Sequence, residues 1–133
     1  MLIVSDNDVA GAVSVIRRII ESARWREFSA ALDLSFCDLV GISLERDAPD
    51  QLVWESCQSK QALLISGNRS GGVDSLDRVI RNLGSVESLP VITLANAMRT
   101  LRDAAYAERC AISLLDLIER IDTIRGTGRL FIP

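Results

Sequence analysis

Histidine is absent from the 133 residues, and lysine occurs once, at Lys60. Without histidine there is no Ser-His-Asp triad, no Cys-His pair and no His-ligated zinc. General acid–base work falls to carboxylates, and any resident metal is expected to be a hard cation on oxygen ligands. Lys60 lies in the polar stretch Gln58-Ser59-Lys60-Gln61, a helix end, where a solvated cation suits the helix dipole better than a Schiff base would. Aromatic residues make up only 5%, so the core must be aliphatic. No apolar run approaches the roughly 20 residues that span a bilayer, and no membrane association is expected. The start, Met1-Leu2-Ile3-Val4-Ser5-Asp6, reaches a carboxylate with no basic region before it, so no secretory leader is expected. The cysteines, Cys37, Cys57 and Cys110, are odd in number and set among apolar residues. They are expected to be reduced core thiols in a cytoplasmic protein.

What the chain has is a large apolar share, 48%, and a mild acidic balance, 15 basic against 18 acidic residues. Its length suits a single domain over 1–133. A net charge of −3 argues against a protein that coats nucleic acid by charge alone. It leaves room for an enzyme that approaches nucleic acid through metal ions.

Short apolar runs alternate with longer amphipathic stretches. Leu2–Val4 is expected to be a strand, followed by a helix from Val9 to about Ser22 with Asp8 as its N-cap. Ala23–Leu34 reads as a second helix or partly as loop. Leu39-Val40-Gly41-Ile42 is the next expected strand, and Gln51–Gln58 a helix opened by Asp47, Pro49 and Asp50. Ala62–Ile65 reads as a buried strand ended by the turn Ser66-Gly67-Asn68-Arg69-Ser70-Gly71-Gly72. A helix from Asp74 to Leu83 closes at Gly84, and Val91–Leu94 is a further strand. Ala97 to about Asp122 is helical with a break near Tyr106, and Gly128–Ile132 is a last short strand. This alternation predicts a three-layer α/β/α sandwich on a mostly parallel, Rossmann-like sheet.

In such sheets ligands bind beyond the C-terminal ends of the strands. That rule gathers Asp6, Asp8, Asn68 and Asp74 at one rim, and Asp50 joins them if its helix starts at the same edge. Clustered carboxylates need a compensating cation, and Mg²⁺ or Mn²⁺ there would activate water and hold a phosphate. Local roles are open to the same residues: a cap for Asp8 or Asp74, a first-turn dipole contact for Asp50, an Asx turn for Asn68. Arg17, Arg18, Arg24 and Arg26 form a basic group that Glu21 and Glu27 balance at helical spacing. Trp25 and Trp54 read as core anchors.

The opening Val4-Ser5-Asp6-Asn7-Asp8 before an amphipathic helix resembles that of PIN-like nuclease domains, in the small branch found as bacterial toxins. Ala48-Pro49-Asp50-Gln51 followed by Leu63-Leu64-Ile65-Ser66-Gly67-Asn68-Arg69 is similar to a later region of that branch. The resemblance covers roughly residues 1–100. It implies a PIN-like fold, metal-dependent ribonuclease activity and a toxin–antitoxin setting. Carried over by position, Asp6 matches the family's first acid, Asp50 the second and Asp74 a later one, which implies catalytic roles for them. Together with the strand-end rule, the expected metal ligands are Asp6, Asp8, Asp50 and Asn68, and Arg69 and Asn7 are the expected substrate contacts. Asn68 stands where the family has Asp, which replaces an anionic ligand by a neutral one. Two further expectations stand beside the nuclease: a degraded PIN-like domain acting through protein partners, and a small receiver-like regulatory domain. The partners implied are RNA and an antitoxin-like protein, and the apolar residues Ile112, Leu115 and Ile118 of the C-terminal helix face either the core or a second subunit in a homodimer.

Overall fold

The computed structural model describes residues 1–67 and 75–133. Asn68, Arg69 and Asp74 therefore lie outside the described residues. Among those described, five strands form one sheet: β1 (Leu2–Ser5), β2 (Ser35–Asp38), β3 (Leu63–Gly67), β4 (Val91–Leu94) and β5 (Arg129–Ile132). Their order is β2-β1-β3-β4-β5 and every pairing is parallel. The helices are α1 (Ala10–Ile20), α2 (Arg26–Ala31), α3 (Asp50–Ser59), α4 (Ser75–Leu83), α5 (Ala97–Arg102) and α6 (Ala104–Glu119).

Side chains alternate across each strand, so the sheet has two apolar faces and needs cover on both. Ile3, Leu63, Ile65, Ile92, Leu94 and Ile132 face α1 and α6 in one core. Val4, Leu64 and Val91 face the other way and pack with Val53, Trp54 and Cys57 of α3 and Val79 of α4. The result is the three-layer α/β/α sandwich expected, with a sheet that is wholly parallel. Leu115 and Ile118 of α6 lie in the first core, while Ile112 remains exposed. The stripe that suggested a dimer is thus spent largely within the chain.

Burial explains which strands were visible beforehand. All residues of β3 and β4 are buried, as a run covered on both faces should be. β2 is an edge strand whose ends are exposed. The expected strand at Leu39–Ile42 is instead a 3-10 turn over Val40–Ile42, and β2 lies four residues earlier. Leu39 and Ile42 are buried by folding back over the sheet. The fold-back is tight at Gly41, where a Cβ would stand 2.6 Å from Cys37 Cβ.

The first helix also begins differently. Asp6, rather than Asp8, is the cap: its Oδ1 accepts from the Asn7 amide at 2.8 Å and opens a 3-10 turn, Asn7–Val9, that leads into α1. The expected long C-terminal helix divides at Asp103, whose extended backbone ends α5 and whose carboxylate caps α6 through the Tyr106 amide at 3.1 Å. Lys60 is the C-cap of α3, as its polar setting suggested. Trp54 is buried in the second core, and Trp25 packs half-buried against the first. The basic group near α1 is partly neutralised, by Arg17–Glu21 at 2.8 Å and Arg24–Glu108 at 2.6 Å.

Candidate functional site

In the order β2-β1-β3-β4-β5 the chain turns outward in opposite directions from β1 and β3, and the crevice between those strands is where this topology binds ligands. β1 runs straight into that crevice. Its ladder with β3 extends one residue past the strand, since the Asp6 amide donates to the Ile65 carbonyl at 2.9 Å. Asp6 is therefore fixed at its backbone by β3 and at its carboxylate by the turn that it caps. Asp8 follows on that turn. A Cβ built on Gly67, the last residue of β3, would lie 2.6 Å from Asp8 Oδ2 and 3.2 Å from Val9 Cγ1. The Asp8 carboxylate thus rests on the bare backbone of β3, and only glycine leaves it that seat.

Asp50 reaches the same edge from another direction. Pro49 has the extended backbone of an N-cap, with φ −60° and ψ 148°, and Asp50 is the first residue of α3. Proline and an acid at a helix start satisfy the positive end of the dipole and cost no backbone donor. The loop before α3 is tied to β1's turn by a hydrogen bond from Asn7 Nδ2 to the Arg46 carbonyl. A cleft of about 390 Å³ lies between them, lined by residues 6–8 and 46–50. Asp6, Asp8, Asp47 and Asp50 face it, with Arg46 as the one basic residue among the described lining residues. Asp6 and Asp50, from distant parts of the chain, therefore line one cleft.

The carboxylates share the cleft without closing on a point: among the described residues, no three Asp, Glu or Cys side chains form a ready-made chelating set. Asn7 was expected to touch substrate, and its amide nitrogen is engaged with the Arg46 carbonyl. The charge of the edge reaches into the core. Cys57 is pushed up to about 12, first by burial, then by the neighbouring Cys37 and by the negative charge of Asp6. Burial also raises Cys37 and Cys110. All three thiols are free, and at neutral pH they are protonated, so the cysteines behave as packing groups and not as nucleophiles.

The sequence reading gave Asp47 only a place at a helix start, and it missed Arg46 and Arg129. Arg129 bonds Ser66 and Thr93, two buried hydroxyls facing each other across β3 and β4 at 3.2 Å. A signal for it was present: a hydroxyl inside each of two otherwise apolar strands demands a polar partner. A second concavity, about 460 Å³, lies between α1 and α6, lined in part by Val15, Ile19 and Trp25. It is away from the strand ends and carries no carboxylate but Glu108, which is paired with Arg24.

Fold and edge together define a doubly wound parallel α/β domain with an acidic cleft beside its topological switch point. Comparison with family models, with curated proteins and with solved structures finds no match for this chain.

Proposed function

We propose that this chain is a PIN-like, divalent-cation-dependent nuclease that hydrolyses RNA phosphodiesters. The observation that carries the reading is that Asp6, Asp8 and Asp50 face one cleft at the end of β1. Asp6 and Asp50 hold the cation, Asp8 supports it, and Arg46 attracts the phosphate backbone. Mg²⁺ or Mn²⁺, when bound, neutralises the carboxylates and lowers the pKa of a water for attack on phosphorus. In this reading the protein works in the cytoplasm as the toxin of a pair, with an antitoxin-like protein as partner. Asn68, Arg69 and Asp74 are proposed to complete the ligand and substrate contacts.

The test is thermal unfolding with and without Mn²⁺, alongside cleavage of single-stranded RNA. A ligand at a hundred times its Kd stabilises the folded state by about 2.7 kcal/mol, which raises Tm by several degrees. Wild type is expected to show that rise and to cleave RNA, with chelation abolishing both. Asp6→Asn is the control, because Asn caps a helix as well as Asp does, keeps one acceptor oxygen and removes the negative charge. An equal Mn²⁺ response in Asp6→Asn would sink the proposal. Cation binding with no cleavage would favour a degraded domain acting through partners.

One observation favours a second reading. The strand order is shared with response receivers, which also carry acids after their first strand. A receiver needs a phosphorylatable Asp at the end of β3 and a Lys after β5. Here β3 ends on Gly67, followed by Asn68, and the one Lys caps α3. The receiver therefore ranks second.

A further inference from the structure

Arg129 opens β5 at the edge of the sheet, yet its side chain is only 13% exposed. Among the other described arginines all but Arg125 are exposed. Its guanidinium crosses β4 and ends over the last two residues of β3. Nε donates to Thr93 Oγ1 at 2.7 Å, Nη1 to Asp77 Oδ1 at 2.6 Å, and Nη2 to Ser66 Oγ at 3.2 Å and the Gly67 carbonyl at 3.4 Å. One planar group thereby joins β5, β4, β3 and the first turn of α4. Only a guanidinium has the forked geometry to do so; an ammonium is a point charge on a flexible stem. Ser66 and Thr93 already bond each other, so a partner for buried hydroxyls explains only part of this reach. The rest pairs with Asp77 at 2.6 Å and extends to the Gly67 carbonyl at 3.4 Å, and Gly67 is where the Asp8 carboxylate rests.

We propose that Arg129 is a positioning residue of the acidic edge: by clamping the end of β3 to β4, β5 and α4, it sets the seat of the Asp8 carboxylate in the cleft. The proposal rests on the reading of that cleft as a cation site. Arg129 touches no substrate; it acts through Gly67 and Asp8. A purely structural arginine would lower stability and leave the cation affinity of the folded protein unchanged.

The experiment titrates Mn²⁺ into folded wild type and Arg129→Lys, followed by the loss of the free-ion electron paramagnetic resonance signal. Amide hydrogen exchange is measured on the same proteins without metal. Arg129→Lys keeps the charge and loses the fork. It is expected to bind Mn²⁺ about tenfold more weakly or worse, the range seen when groups supporting metal ligands are altered. Exchange is expected to quicken at Gly67, Asn7 and Asp8 and to stay unchanged at Ile3 and Leu63. Wild-type Mn²⁺ affinity in folded Arg129→Lys overturns the proposal. If wild type itself binds no Mn²⁺, the cation reading falls and exchange alone decides: local quickening at those three amides supports the clamp, and uniform or unaltered exchange overturns it. Should Arg129→Lys fail to fold, Asp77→Asn removes one arm of the clamp at a half-exposed position. A severalfold weaker Mn²⁺ affinity there supports the proposal, and an unchanged one overturns it.

Discussion

Gly67 shows how a single missing carbon shapes this edge. A methyl group there would meet Asp8 Oδ2 at 2.6 Å and Val9 Cγ1 at 3.2 Å, while the surrounding strand is fully buried. The oxygen belongs to an exposed side chain that can swing outward, so the strain is relieved by moving Asp8 rather than by breaking β3. Gly67→Ala is expected to fold with a modest loss of stability and to lose much of its Mn²⁺-induced rise in Tm. Paired melting curves with and without metal check this. A variant with an undiminished rise would mean that Asp8 takes no part in cation binding. The seat was hidden in the sequence, where Gly67 reads as part of a glycine-rich turn. The contact joins residues far apart along the chain, and no local pattern encodes it. Asp6 shows the converse. Its place after a buried strand was legible, but its capping role was not, because Asp6 and Asp8 are both plausible caps until the 3-10 turn fixes which amide comes within reach.

At the scale of elements, legibility followed burial. β1, β3 and β4 announced themselves as apolar runs because sheet neighbours and helices cover them on both faces. β2 has one neighbour, so its sequence Ser35-Phe36-Cys37-Asp38 alternates weakly, and the stronger apolar run just after it proved to be a turn. The junction of α5 and α6 was foreseen three residues too late, since Asp103 looks like any surface acid until its carboxylate meets the Tyr106 amide. That hydrogen bond, with support from Arg99, holds the Asp103 carboxyl below its ordinary value of 3.8. A group whose folded pKa is lowered stabilises the fold above its unfolded pKa, and the contribution fades as pH falls through the folded value. Asp103→Ala is expected to lower Tm at pH 7, and the gap from wild type should narrow steadily below about pH 4. Thermal melts from pH 7 to pH 2 measure the gap. A gap that is constant with pH would show that the carboxylate's charge is irrelevant to the cap.

For the molecule as a whole, the two cores lie back to back across one sheet and share its strands. Leu114, wholly buried in α6, and Val53 and Trp54 in α3 never meet, yet each packs against strands of the same sheet. Leu114→Ala removes about 2–5 kcal/mol of stability by the usual cost of a leucine-sized cavity. Because the sheet couples both sides, one urea transition is expected, with the fluorescence of Trp25 and Trp54 and far-ultraviolet circular dichroism moving together. Separate midpoints for the two probes would show that the layers unfold independently. The architecture was legible because strand–helix alternation admits few arrangements. Strand order was not, since it depends on pairings between segments tens of residues apart.

Those separations have a consequence during synthesis. Arg129 meets partners that precede it by 36, 52, 62 and 63 residues. While a ribosome still holds the segment around Arg129, the earlier strands can emerge and pair, but the guanidinium that ties two of them, β3 and β4, to α4 is not yet among them. On the proposal that Arg129 positions the acidic rim, the rim reaches its final shape only once that segment has emerged, after β3 and β4 have already paired.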